Sequence, residues 1–348
     1  MNKIYKDLVN LPGVSGYEHQ VRNYIRNEFL KYSNNVRQDK LGSIYLVKEG
    51  PKDSPVVMID AHMDEVGAII VGITDRGMLQ IKNMGGVQAE VFLSQNMDVV
   101  TKKGIIPGLI GSTPPHLGGQ QKLDFNDLLI DIGASSKEEV LNMGIKIGDF
   151  VVPTNNYRIT ANGKRIISKA WDDRWGCGMI LEILKETFYK EYPCTIVYSC
   201  TVQEEVGLRG AKTVVHSIKP DVFIALDSSP VNGSKFQDST IGDLGKGFLY
   251  RIYDPNNIML QGIQNHFLKV AKKYKIPYQI FFSKGGTNAA MALLQHEGIL
   301  ATTIGIPARY IHSTAAMIDI DDSKAIKKML LKLLPTFTKE TINEMKNK

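Results

Sequence analysis

Hydrophobic spacing changes character along the chain. Val21, Ile25 and Phe29 recur every fourth residue, as one buried face of an amphipathic helix requires. Ahead of them, Ser15-Gly16-Tyr17-Glu18 has the form of a capping box, with Ser15 accepting from an amide of the first turn and Glu18 bonding back. Two short apolar runs follow, Ser43–Val47 and Val56–Asp60; the second is continuous, as in a strand covered on both faces. From about Gly67 to Ala161 helical periodicity nearly vanishes. Strand-like runs there (Ala68–Ile73, Leu79–Lys82, Asp98–Thr101, Ile105–Ile110, Phe150–Pro153) are separated by Gly, Pro and Asn turns, and Ser112–Gln121 reads as an extended loop. Beyond Asn162 strands and helices alternate: helix over Asp173–Tyr189, strands at Cys194–Cys200 and Val222–Leu226, helix over Asn257–Tyr274, strand at Ile299–Ile304 and helix over Asp322–Phe337. Such alternation predicts an α/β fold, a mainly parallel doubly wound sheet flanked by helices. The β-rich block then becomes a small inserted β-barrel. Residues 1–67 and 162–348 would form the α/β domain and residues 68–161 the insertion.

Length supports that division, because 348 residues exceed what one core usually serves. A chain that is 43% hydrophobic and 22% charged is neither disordered, collagenous nor a coiled coil. Stretches such as Val66–Ile73 fall far short of the roughly 20 apolar residues of a membrane span. Asp7 follows Lys3 and Lys6 before any apolar region develops, unlike a signal peptide. No membrane association is expected, and the cytoplasm is the expected compartment. The net charge of +6 is spread as single lysines, and Lys324–Lys332 alternates with apolar residues as a solvated helix face does, so no nucleic-acid partner is expected. Cys177, Cys194 and Cys200 are too scattered for a disulfide framework or a thiolate zinc site.

The chemistry gathers behind the predicted strands. Val56–Asp60 leads into Ala61-His62-Met63-Asp64-Glu65, Cys194–Cys200 into Gln203-Glu204-Glu205, Val222–Leu226 into Asp227, and Ile299–Ile304, after a short loop, into Arg309-Tyr310-Ile311-His312-Ser313. Trp171-Asp172-Asp173-Arg174 opens a helix. Open α/β sheets bind ligands outside the carboxyl ends of their strands, and all these residues would arrive at that edge. Two imidazoles with several carboxylates and no thiolate suit zinc, cobalt or manganese. Each residue has a plainer use: a buried core histidine for His62, a helix N-cap for Asp172, a turn cap for Asp227. One metal centre explains them together. Asp64 stands where it would hold the second nitrogen of His62. Adjacent side chains diverge on leaving a strand, so one of Glu204 and Glu205 would bind metal while the other faces water.

These motifs, with Gly285-Gly286-Thr287 and in this order, make the chain resemble the M42 metallo-aminopeptidases, the glutamyl- and tetrahedral-aminopeptidase group, over nearly its whole length. The resemblance implies a zinc-peptidase-like fold whose inserted β domain takes part in oligomer assembly, from dimer to dodecamer, and in access to the active site. It implies two divalent ions per subunit, with zinc favoured over cobalt or manganese. Asp172 would bridge them, with His62 and Asp227 completing one site and Glu205 and His312 the other. Glu204 would be the general base, Asp64 the support of His62, and the Asp172–Asp173 bond cis. Peptides would be the substrates. Two positions depart from the family pattern: Asn288 replaces an aspartate after Thr287, and Ala316 replaces an acidic residue four positions after His312.

Two other functions compete. A metal-independent, endoglucanase-like glycoside hydrolase would use paired carboxylates, but it leaves both histidines idle and usually needs an aromatic groove, and the chain has two tryptophans. A catalytically silent binding protein would be expected to have lost Glu204 or a ligand, and none is missing. His116 has no assigned role and is expected at the surface.

Overall fold

The computed structural model describes residues 1–118, 123–233 and 241–347. Its core is a 12-stranded sheet in which Thr195–Thr201, Val56–His62, Val222–Pro230 and Leu300–Arg309 lie side by side and parallel. Alternating residues of Val56–His62 explain the unbroken apolar run. Val57, Ile59 and Ala61 pack beneath helices Lys3–Asn10, His19–Leu30, Trp171–Thr187 and Ile320–Leu333, whereas Met58 packs on the opposite side with helices Arg209–Ile218 and Asn288–Leu293. Both faces are dry, as parallel strands demand.

The inserted block closes into a six-stranded antiparallel barrel of Gly67–Ile73, Leu79–Met84, Leu129–Asp131, Gly104–Ile110, Asn96–Thr101 and Phe150–Pro153. It has its own core, which includes Ala68, Ile70, Ile81, Phe92, Val99, Ile130 and Val151. The chain rejoins the large sheet at Arg158–Ile159, which pairs with Arg165–Ser168. Among the described residues no helix is long and apolar enough to cross a membrane. The loop expected over Ser112–Gln121 reaches into residues 119–122, outside the described residues; Pro115–Leu117 within it forms one short 3-10 turn.

Tertiary context overrides several local expectations. Ser15 and Glu18 make no capping box: the helix starts at His19, Gly16 turns the chain with φ +86°, and Glu18 accepts from the amides of Gly16 and Gln203. The helix expected from Asn257 starts at Gln261, because Asn257–Ile258 folds back to pair with Tyr253–Asp254 after a turn in which Asp254 accepts from the Asn256 amide. The last long helix runs over Ile320–Leu333, with Asp319 capping its start, and passes into a 3-10 turn at Leu334–Thr336. Pro335 lacks the amide that would continue it. Strands Phe248–Asp254, Tyr278–Phe282 and Ala316–Asp319 and helix Arg209–Ile218 extend the architecture beyond the expected elements.

One buried cation ties the parts together. Arg174 is fully buried and donates to Met63 O (2.6 Å), Leu8 O (2.8 Å), Leu11 O (2.7 Å), Gly13 O (3.1 Å) and Glu65 Oε1 (3.2 Å). Lys169 completes the Glu65 carboxylate at 2.7 and 2.5 Å. An ammonium cannot reproduce five donors in a planar fork. Arg174→Lys is therefore expected to lower unfolding stability by about 3 to 5 kcal/mol, the usual cost of breaking a buried charged network. Urea denaturation measures it, and a midpoint equal to that of the parent chain would contradict the assignment.

Candidate metal centre

Strand register delivers the site. His62 ends its strand opposite Thr201, and the chain after Thr201 reaches Glu204 and Glu205 within one turn. Asp227 sits inside the neighbouring strand, in register with Gly305. His312 follows the end of Leu300–Arg309, and Asp172 stands at the entry of helix Trp171–Thr187. Asp172 is not that helix's cap. Its neighbour Asp173 accepts from the Gly176 amide at 3.0 Å and from the His62 amide at 3.3 Å, which leaves the Asp172 carboxylate to the cleft. The peptide bond between the two aspartates is cis.

All the expected residues meet there. The Asp172 oxygens separate two imidazoles, with Oδ1 3.1 Å from His62 Nε2 and Oδ2 3.3 Å from His312 Nε2. Glu205 Oε1 lies 3.5 Å from His312 Nε2, and Glu204 Oε2 lies 4.0 Å from His62 Nε2. His62, Asp172 and Glu205 offer donor atoms within 4.8 Å of one another, and so do His62, Glu204 and Asp227. Each imidazole turns its Nδ1 to a backbone carbonyl, His62 to Asp64 O at 3.1 Å and His312 to Gly86 O at 2.8 Å. A carbonyl only accepts, so both Nδ1 atoms carry hydrogen and both Nε2 atoms face the carboxylates.

Asp64 does more than face His62. Its carboxylate, 3.4 Å from the ring, accepts from the Glu204 amide (3.0 Å), the Glu205 amide (3.1 Å) and Ser15 Oγ (2.6 Å). It thus fixes the turn that carries both glutamates. Burial raises its pKa, but His62, Ser15 and the Glu204 amide outweigh burial and hold it below the usual carboxylate range.

Elsewhere the cluster is electrostatically unfinished. Burial, aggravated by Asp227, Glu205 and Asp172 and only partly relieved by His62, pushes Glu204 well up. Burial and Asp172 push Glu205 to about 8, and burial and Asp172 push Asp227 to about 7. Asp172, like Asp64, is driven down, its two imidazole partners overcoming burial. For His312 burial works downward, yet Asp172 and Glu205 carry it up to about 10; His62 is raised likewise, with Glu204 the leading charge against burial. Among the described residues, Glu205 Oε1 is buried without a hydrogen-bond partner. Carboxylates crowded in a largely buried cleft, an orphaned oxygen among them, are the donor set that divalent cations complete.

The two departures have local accounts. Asn288 donates to Asp60 Oδ2 (2.8 Å) and Thr201 Oγ1 (2.9 Å) on the strands carrying the site. An amide can make that bond to Asp60, where an ionised carboxylate would repel it. Ala316 is buried and lines the same cleft as Lys169, Asp172, Glu205 and His312. His116 lies exposed on the barrel's Pro115–Leu117 turn. Sequence reasoning gave Ser15 a helix-capping role in place of its bond to Asp64 and gave Asp173 only the cis bond, and it had no signal for Gly86, whose backbone oxygen makes the contact.

The model of the M42 glutamyl aminopeptidase family matches residues 42–329. The chain is 37% identical to the glutamyl aminopeptidase of Lactococcus lactis subsp. cremoris, with 98% of each chain covered. Among solved structures it resembles the TET aminopeptidase of the marine sediment archaeon Thaumarchaeota archaeon SCGC AB-539-E09, with TM-score 0.94, 33% identity and coverage of 99% of this chain and 98% of that one. It also resembles the Pyrococcus horikoshii TET1 peptidase, which can assemble into a tetrahedron or a large octahedral shell, with TM-score 0.86, 32% identity and coverage of 95% and 98%.

The protonation pattern predicts how a cation would enter. At neutral pH the metal-free cluster retains protons on His62 and His312 and shares others among Glu204, Glu205 and Asp227, since their pKa values are raised. Binding must expel them, so zinc affinity should rise with pH and fall at least tenfold between about pH 8 and about pH 6. Calorimetry in buffers of different ionisation enthalpy counts the released protons; none released at pH 7 would contradict the pattern.

Proposed function

Because the chain belongs to the M42 glutamyl aminopeptidase family and is thereby a hydrolase of peptide bonds, we propose a division of labour within its cleft. Asp172 would bridge two divalent ions, His62 and Asp227 completing one site and Glu205 and His312 the other. When bound, such a pair supplies Lewis acidity to the scissile carbonyl and to the attacking water. The reading draws its main support from Asp172, whose two oxygens each face a different imidazole Nε2, at 3.1 and 3.3 Å.

Glu204 is the general base. Its carboxylate takes a proton from the attacking water as the C–O bond forms, and returns that proton to the departing amine nitrogen as the C–N bond breaks. A carboxylate raised by burial and by Asp227, Glu205 and Asp172 holds a proton better than an exposed one, which suits this shuttle. Asp64 positions the machinery from behind by holding the Glu204 and Glu205 amides together. Cleavage is restricted to N-terminal residues of peptides through recognition of the free α-amino group. Zinc fits the mixed imidazole and carboxylate set best, with cobalt or manganese as substitutes.

Homo-oligomeric assembly belongs to the same reading. The barrel exposes Ile105 (53%), Leu109 (43%) and Leu117 (69%), apolar side chains that association would cover.

Aminoacyl-anilide hydrolysis tests the scheme. Chelation is expected to abolish it, and readdition of zinc, cobalt or manganese to restore it. Glu204→Gln should lower kcat by about 10²- to 10⁴-fold, the usual range for a lost proton-transfer group, while leaving the bound metal content unchanged. Appreciable cleavage of N-terminally blocked peptides, or cellulose hydrolysis surviving chelation, would overturn the reading.

A further inference from the structure

The ligands differ in how they are held. His62 and Asp227 lie in parallel strands of the large sheet, and Asp172 stands at the entry of a long helix. His312 and Glu205 lie in loops instead, and although the Asp64 carboxylate holds the Glu205 amide, His312 has no strand or helix to hold it. His312 sits in a loop with φ +54°, two residues after Tyr310 with φ +61°, both left-handed conformations that non-glycine residues avoid. A histidine on such a loop needs an outside tether to keep its ring aimed.

That tether comes from the barrel. Gly85 and Gly86 follow directly on the barrel strand Leu79–Met84. Gly86 O accepts from His312 Nδ1 at 2.8 Å. Gly85 packs on the other ligand: with φ +85°, a Cβ built there would stand 3.2 Å from Glu205 Cβ, 3.3 Å from Glu205 Oε2 and 2.8 Å from Val66 Cγ1. A second bond reinforces the first, as Thr314 Oγ1 donates to Gln95 Oε1 of the barrel at 3.1 Å. Gly86 leaves room for the ring, since its own Cβ would stand 3.4 Å from His312 Nδ1.

We propose that the barrel's Gly85-Gly86 turn is a positioning element of the metal centre, and that the Glu205–His312 half of the centre is formed only while the barrel is docked against the sheet. The inference rests on the two-ion reading above and adds a dependence to it. The His62–Asp227 half belongs to the sheet and is independent of the turn. The carbonyl of Gly86 selects the His312 tautomer that presents Nε2 to the cleft, and the bare Cα of Gly85 lets the turn approach Glu205. Displacing the barrel would release one ion and retain the other.

The test is metal binding by the full chain, measured as zinc content per subunit after equilibrium dialysis over a range of free zinc, without reference to activity. The parent chain is expected to bind two ions. Gly85→Ala, which crowds Val66 and Glu205 at a left-handed φ and so shifts the turn, should weaken one of them by about 10- to 100-fold, the usual effect of losing a support behind a ligand, and leave the other unchanged. Thr314→Val, which removes only the second tether and cannot disturb the glycine conformation, should weaken the same ion in the same direction by a smaller factor; it serves if Gly85→Ala fails to fold. Two ions with parent affinities in the folded variants would overturn the inference while sparing the two-ion reading. Fewer than two ions in the parent chain would overturn both.

Discussion

The guanidinium of Arg174 is the constraint on which the rest of the structure depends. A buried cation is costly unless every donor finds an acceptor. Here the acceptors are Leu8 O, Leu11 O, Gly13 O, Met63 O and Glu65 Oε1, drawn from the N-terminal helix and loop and from the turn after the central strand. Met63 and Glu65 flank Asp64, and Arg174 stands two residues after Asp172. Satisfying one side chain therefore fixes the turn that carries Asp64 and the helix entry that carries Asp172. Buried Lys169 completes the Glu65 carboxylate; burial works to lower its pKa and Glu65 opposes that. The members of this network hold one another in place: without Glu65 two buried cations would face each other, and without Arg174 four backbone carbonyls would lose their donor.

The cleft above it is built on the opposite principle. Arg174 is neutralised and fully bonded, whereas Glu204, Glu205 and Asp227 are crowded until burial and mutual repulsion raise all three. A fold that spent its stability on such a cluster without a use for it would be better served by apolar replacements. Rigidity below and unsatisfied charge above are complementary. The first prevents the acidic side chains from relaxing apart, and the second gives a cation its affinity. Glu204 and Glu205 show the same logic at the scale of two residues, since their amides share one carboxylate, that of Asp64.

Much of this was legible in the sequence, for a physical reason. Parallel strands buried on both faces leave continuous apolar runs, so Val56–Asp60 and Val222–Leu226 announce themselves, and whatever follows such a strand lies at the sheet's ligand-binding edge. That rule brought His62, Glu204, Glu205 and Asp227 together, although His62 and Asp227 lie within strands that run on past their apolar stretches. What stayed hidden was set by distant partners. Ser15 and Glu18 have the spacing of a capping box, yet Ser15 serves Asp64 and Glu18 serves Gln203, contacts that no local window contains. Asn257 reads as the start of a helix until it pairs with Asp254 across a turn. Gly86 contributes a backbone oxygen, which every residue has, so its contact with His312 leaves no trace in residue type.

The position of the insertion gives the barrel a hold on the cleft that a peripheral module would lack. The chain enters the barrel at Gly67, two residues after Glu65, and its last barrel strand ends at Pro153, ahead of Lys169 and Asp172. Both connections thus approach the Glu65–Lys169–Arg174 network, one from the side of Asp64 and the other from the side of Asp172. Val14, Val100, Phe150 and Val152 form a separate apolar cluster, joined by Tyr17 and Met84, that seats the barrel on the N-terminal loop, and Tyr17 Oη donates to Gly148 O at 2.7 Å. Gly67 itself is packed so closely that a Cβ there would meet Val151 O at 2.5 Å and Val14 Cγ1 at 2.6 Å. Gly67 pairs with Met84, the residue before the glycine turn, so the clamp at this junction also sets where that turn meets Glu205 and His312.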